Sequence, residues 1–192
     1  MGERFPPTAL LASRMRVILL VVALLSLCGP VAAGSRPVES LLEIRQRNVV
    51  IQHWDNSCGA AALATILTYD LGHPVSEAEV ARGMLRRTEP LRVRHRGGFS
   101  LLDMKRYAEE LGYQADGYSA LNLETLAERT PAIVPIKVRG YHHFVVVRAV
   151  DMSRVWIADP GFGNYSLSRS AFLNNWPDGI GFVVTRGSER LQ

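Results

Sequence analysis

IQHWDNSCGAAALATILTYDLG, residues 51–72, joins a polar loop to an apolar helix and sets one cysteine, Cys58, at the join. Ala61, Leu63, Ile66 and Leu67 recur at helical spacing, and Gly72 followed by Pro74 stops the helix. A serine or alanine would build the same helix start, so the thiol at 58 calls for a reason beyond local structure.

Outward from this segment the chain reads as helices first and strands afterwards. SEAEVARGML (76–85) is a second helix, opened by a capping box of Ser76 and Glu79. FSLLDMKRYAEELG (99–112) is a third, capped by Ser100, with Leu101, Met104, Tyr107, Ala108 and Leu111 on one stripe and Gly112 at its end. NLETLAERT (122–130) and SRSAFLNNW (168–176) are short helices. AIVPIKV (132–138), HFVVVRAV (143–150), RVWIADP (154–160) and GFVVTR (181–186) are β-branched runs separated by turn residues, hence strands. N-terminal helices packed on a C-terminal antiparallel β-sheet make an α+β domain. Between the second and third helices, RRTEPLRVRHRGG (86–98) reads as a solvated arginine loop, with Gly97 and Gly98 a hinge into the helix that follows.

Composition bounds the possibilities. The chain has 192 residues, 47% hydrophobic and 21% charged, which suits one globular domain. Its first residues read as an address label: Arg14 and Arg16 precede the apolar run VILLVVALLSLC (17–28), then Gly29-Pro30 and small residues placed for cleavage after Ala33. We therefore expect a signal peptide over 1–33, a mature domain over 34–192 and export to the periplasm or beyond. Met15 opens a segment that is complete as a signal by itself. The apolar run falls short of the ~20 residues a spanning helix needs. Past residue 33 the chain holds 19 basic against 17 acidic residues, which argues against a nucleic-acid partner. Loss of the leader also removes Cys28, so Cys58 becomes a lone thiol bound for an oxidising compartment, with no internal disulfide open to it.

A thiol in the first turn of a helix feels the partial positive charge of unpaired N–H groups, which favours thiolate. A nucleophile also needs a base, a group to orient that base, and donors for the oxyanion formed when it attacks a carbonyl. Of five histidines, His73 and His95 sit in polar loops, whereas His142 and His143 open the most apolar strand. Successive strand residues point to opposite faces, so one of this pair is expected to address Cys58, and alternation leaves open which. Asp159 ends the strand that returns beside HFVVV and is placed to fix an imidazole. Gln52, just upstream of the helix, and the Cys58 backbone N–H are candidate oxyanion donors. Such chemistry requires no metal and no organic cofactor.

QHWDNSCGAAALATIL (52–67) resembles the nucleophile segment of the bacteriocin-type double-glycine leader peptidases, papain-like cysteine peptidases often fused to peptide-exporting ABC transporters. HFVVVRAV with VWIADPGFG (155–163) resembles their histidine strand and aspartate turn, and the likeness runs from about residue 49 to 186. The resemblance implies a papain-like fold, with Cys58 as nucleophile, His143 as base, Asp159 as its orienter and Gln52 as oxyanion donor. It thereby chooses His143 over His142.

The chain departs from the transporter-fused pattern, since it carries no GxxxxGK[ST] motif and no spanning segment after the leader. No ATP is therefore expected to be used. An exported form looks most like the peptidases of functional-amyloid or fimbrial secretion systems, which implies a peptide or protein substrate such as a secreted amyloid or fimbrial subunit or a secretion component. Cleavage after Gly-Gly-like sites follows from the resemblance alone. Two alternatives stand beside hydrolysis: a non-cleaving escort module for a secreted peptide, and an acyltransferase on the same fold.

Overall fold

Residues 38–138 and 140–187 are described by a computed structural model, and the leader reading falls outside them. The elements run α1 (Leu41–Gln46), α2 (Cys58–Thr65), a π-helical turn (Ile66–Asp70), α3 (Glu77–Leu85), α4 (Pro90–Arg96), α5 (Leu101–Glu110), β1 (Tyr113–Tyr118), α6 (Leu123–Ala127), β2 (Ala132–Val138), β3 (Tyr141–Val150), β4 (Arg154–Asp159), β5 (Gly163–Ser168), α7 (Arg169–Asn175) and β6 (Gly181–Arg186). The strands form one antiparallel sheet in the order β1-β6-β2-β3-β4-β5.

Both faces of this sheet are covered. Ile133, Val146, Ala158, Phe182 and Val184 join the helical residues Leu63, Ile66, Val80 and Met104 in one core. Val134, Val145, Val147, Val155 and Ile157 join Leu126 of α6, Phe172 of α7 and Trp176 in a second core on the opposite face. Helices thus lie on two sides of the sheet: the N-terminal ones pack on one face, as expected, and the short helices α6 and α7 cover the other. The unbroken apolar runs in β2 and β3 are the signature of a strand buried on both faces, since a half-solvated strand would alternate.

The arginine loop proves to contain a helix. Pro90 stands in the first turn of α4 and Gly97 ends it at φ 79°, the left-handed conformation glycine tolerates best. Two strands and α1 also escaped the sequence reading. β1 (YQADGY) and β5 (GNYSLS) are poor in β-formers and are the edge strands, held by pairing to β6 and β4. The capping box expected at Ser76 forms with Glu79 as the returning side chain, and the Ser100 cap is a box as well, completed by Asp103.

Gly83 lets α3 and α5 meet. A Cβ there would stand 2.0 Å from Tyr107 Cε2, far inside contact distance. Gly83→Ala adds up to ~1 kcal/mol of helix propensity, but the overlap with a ring in the core outweighs it. We expect a net destabilisation of about 1–3 kcal/mol, read as a lower urea midpoint.

Candidate active site

Cys58 is the first residue of α2 and is buried. Ser57, the residue before it, gives no side-chain cap to the helix; its hydroxyl turns instead to the Trp54 carbonyl (2.7 Å) and to the Glu77 carboxylate. The N-terminal amides of α2 are thereby left facing the sulfur, with the Gly59 N–H among its donors.

A second backbone donor comes from β3. Phe144 lies opposite Pro135 of β2, and proline has no N–H to share, so this is a pair in which the Phe144 N–H points away from β2. β4 pairs with β3 only from Val146 onward, which leaves that edge of β3 open at Phe144. The Phe144 N–H on this open edge favours the ionised form of the Cys58 thiol.

His143 is the imidazole that meets the sulfur. Its Nε2–H donates to Asp159 Oδ1 at 2.7 Å, which leaves Nδ1 for Cys58. Asp159 is 1% exposed, and its charge is spread over several donors. Oδ1 also accepts from the N–H of Gly161 (2.7 Å) and of Phe162 (3.3 Å), and Oδ2 from the Tyr165 hydroxyl (3.0 Å).

Burial by itself pushes the Cys58 thiol up and the His143 imidazole down, and in both cases the partners outweigh it. His143 and the Phe144 and Gly59 amides bring the thiol below its ordinary value. Asp159 and then Cys58 raise His143 from 6.5 to about 9. Both shifts run toward thiolate beside imidazolium.

Of the four residues singled out in the sequence, Cys58, His143 and Asp159 come together in one contiguous chain of contacts. Gln52 is tied to the same corner through its backbone: its N–H bonds the Pro160 carbonyl, next to Asp159, at 2.9 Å. Its Nε2 donates to the Trp54 carbonyl at 3.1 Å, and its Oε1 is buried without a hydrogen-bond partner among the described residues. His142 lines a cavity of about 310 Å³ beside Cys58, together with Gly98, Phe99, Pro135 and Phe144. The remaining histidines have other places: His73 bonds the Tyr113 hydroxyl, His53 the Glu77 carboxylate, and His95 lies on α4. Among the described residues no three His, Cys, Asp or Glu side chains are grouped to hold a metal ion.

Tyr165 was not anticipated. It follows Asp159 by six positions across a tight hairpin, so antiparallel pairing of β4 with β5 folds it back over the carboxylate. Burial and the Asp159 charge hold its phenol well above the usual tyrosine range, so it remains a donor. Tyr165→Phe leaves Oδ2 buried without that donor and is expected to cost about 1–2 kcal/mol in urea unfolding.

Papain-like cysteine peptidases have this architecture, a nucleophile helix packed against an antiparallel sheet that carries histidine and a carboxylate. The Peptidase C39 family matches residues 46–189, and the chain belongs to that family. It is a cysteine peptidase. A Pseudomonas fluorescens protein described as a probable functional amyloid protease, FapD, is 43% identical over 175 residues, 87% of this chain and 76% of the relative. The protein of the same description from Pseudomonas aeruginosa is 42% identical over 157 residues, 81% of this chain and 68% of the relative. Among solved structures, a double glycine motif protease from an AMS/PCAT transporter, in complex with the leader peptide, superposes with a TM-score of 0.58 at 25% identity. It covers 71% of this chain and 89% of its own.

Proposed function

We propose that this chain is an exported endopeptidase that cuts a secreted peptide or protein after a Gly-Gly-like site. The observation that carries the reading is one imidazole, His143, 2.7 Å from the buried Asp159 carboxylate and acting on the Cys58 thiol to favour its ionised form. The Cys58 thiolate adds to the scissile carbonyl carbon, and the carbonyl electron pair moves onto oxygen. The Cys58 N–H and the Gln52 side-chain amide donate to that oxyanion. His143 Nδ1–H gives its proton to the amine nitrogen as the C–N bond breaks, leaving a thioester. Water then adds to the thioester with its proton passing to His143, and collapse expels the thiolate. Asp159 keeps the ring turned and its charge balanced throughout.

The relatives support the substrate class. FapD is described as a functional amyloid protease, and the transporter domain as a double glycine motif protease. An amyloid subunit or a component of its secretion machinery is therefore the substrate we assign, with residues 1–33 directing export. Mass spectrometry of secreted proteins from cells carrying the native enzyme or Cys58→Ala tests this. A new protein terminus, following two small residues and present only with the native enzyme, is expected. Identical termini in both samples would overturn the reading.

A further inference from the structure

Glu77 is a buried carboxylate that the chemistry above does not use. It opens α3, is 3% exposed, and among the described residues pairs with no arginine or lysine. A carboxylate in such a place is tolerated only if its oxygens are filled by donors. All the side-chain and backbone donors it holds come from one short stretch. The His53 N–H reaches both oxygens (3.0 and 3.1 Å), the His53 ring Nδ1–H reaches Oε2 (2.9 Å), and the Ser57 hydroxyl reaches Oε1. His53 is otherwise largely in solvent, with its side chain 76% exposed, so burial does not hold it in place.

The loop between Gln52 and Cys58 has a second hub, the Trp54 carbonyl. It accepts from the Ser57 N–H (3.3 Å) and Gln52 Nε2 (3.1 Å), and the Ser57 hydroxyl, whose single proton serves either this carbonyl or Glu77, lies 2.7 Å away. A path therefore runs from the Glu77 carboxylate to the Ser57 hydroxyl, along Ser57 to its own N–H and the Trp54 carbonyl, and from there to the Gln52 amide. Resting on the peptidase reading of this site, we infer that Glu77 is a positioning residue: it fixes the 53–57 loop so that the Gln52 side chain is aimed for the oxyanion before substrate arrives. Such a role acts on the tetrahedral intermediate and not on the thiolate, because among the described residues no side-chain hydrogen bond joins Glu77, Ser57 or Gln52 to His143 or Asp159, and the tie to that corner is the backbone bond from Gln52 to Pro160.

Two reactions of the same sulfur separate these effects. Alkylation by iodoacetamide needs a thiolate and forms no tetrahedral oxyanion, whereas hydrolysis of a peptidyl-Gly-Gly-aminomethylcoumarin reporter needs both. Glu77→Gln keeps the shape of the side chain but puts an NH2 group where one oxygen accepts a donor. We expect kcat on the reporter to fall about 10- to 100-fold with KM within about threefold, and the alkylation rate to stay within about twofold of native. Gln52→Ala should lower kcat likewise, and combining it with Glu77→Gln should add little, as expected for two groups on one path. If Glu77→Gln does not fold, Ser57→Ala breaks the same path and carries the same expectation. The role is overturned if Glu77→Gln hydrolyses at the native rate, if alkylation slows in step with hydrolysis, or if the Gln52 and Glu77 losses multiply. A native enzyme that alkylates readily yet cuts no peptide overturns the peptidase reading, and this role with it; native cutting matched by the variant overturns the role alone.

Discussion

Cys58→Ala is expected to lower kcat by at least about 10,000-fold while leaving the fold in place. The loss is large because the sulfur is the only atom in the assembly able to form the covalent intermediate; His143 and the oxyanion donors act on an adduct that no longer arises. The fold should survive because alanine suits a helix start and the position borders a cavity, so few core contacts go with the sulfur. Far-UV circular dichroism and the urea midpoint would report the second half of this expectation, and reporter hydrolysis the first. Residual cutting near the native rate would place the nucleophile elsewhere.

The second large effect concerns His143 and pH. In the proposed mechanism His143 carries the proton to the leaving amine and the positive charge beside the sulfur, and on that reading we expect His143→Ala to lower hydrolysis about 1,000-fold. In the native enzyme the productive state is thiolate with imidazolium. It is lost on the acid side as the lowered Cys58 thiol takes up its proton, and on the alkaline side as His143 gives up its own near pH 9. Activity against pH should be bell-shaped, with an acid limb below the ordinary thiol range and an alkaline limb near 9. Asp159→Asn removes the charge that first raises His143, so its alkaline limb should move down. An alkaline limb unmoved by that substitution would show that Asp159 does not set the proton affinity of His143.

Much of this was legible in the chain, and what was not has identifiable causes. Cys58 and Asp159 were readable because each sits at the end of an element, where side chains escape the core. The histidine pair could not be resolved by alternation, and the structure shows why. Phe144 packs toward α2, where a Cβ on Gly59 would come within 3.4 Å of its ring, so His142 and not His143 shares that parity. The meeting with Cys58 occurs at the open edge of β3, where β4 has not yet begun to pair, and there the two-face rule does not decide what the sulfur touches. Glu77 was hidden for a different reason, since an acid in the first turn of a helix is already accounted for by the helix dipole. For α4, charge obscured the boundary signals: Pro90 and Gly97 mark its two ends, yet five arginines around them read as solvated loop.

On the proposed reading of export, the layout of the two cores bears on a chain that crosses a membrane before it works. The sulfur belongs to the layer of α2, whereas Tyr165, which bonds the carboxylate behind His143, packs with the core on the far side. Neither half alone brings the sulfur, the imidazole and its buried carboxylate together, so a half-assembled chain is expected to lack the activated thiol. For such a chain, completion of the tertiary structure is itself the step that assembles the site.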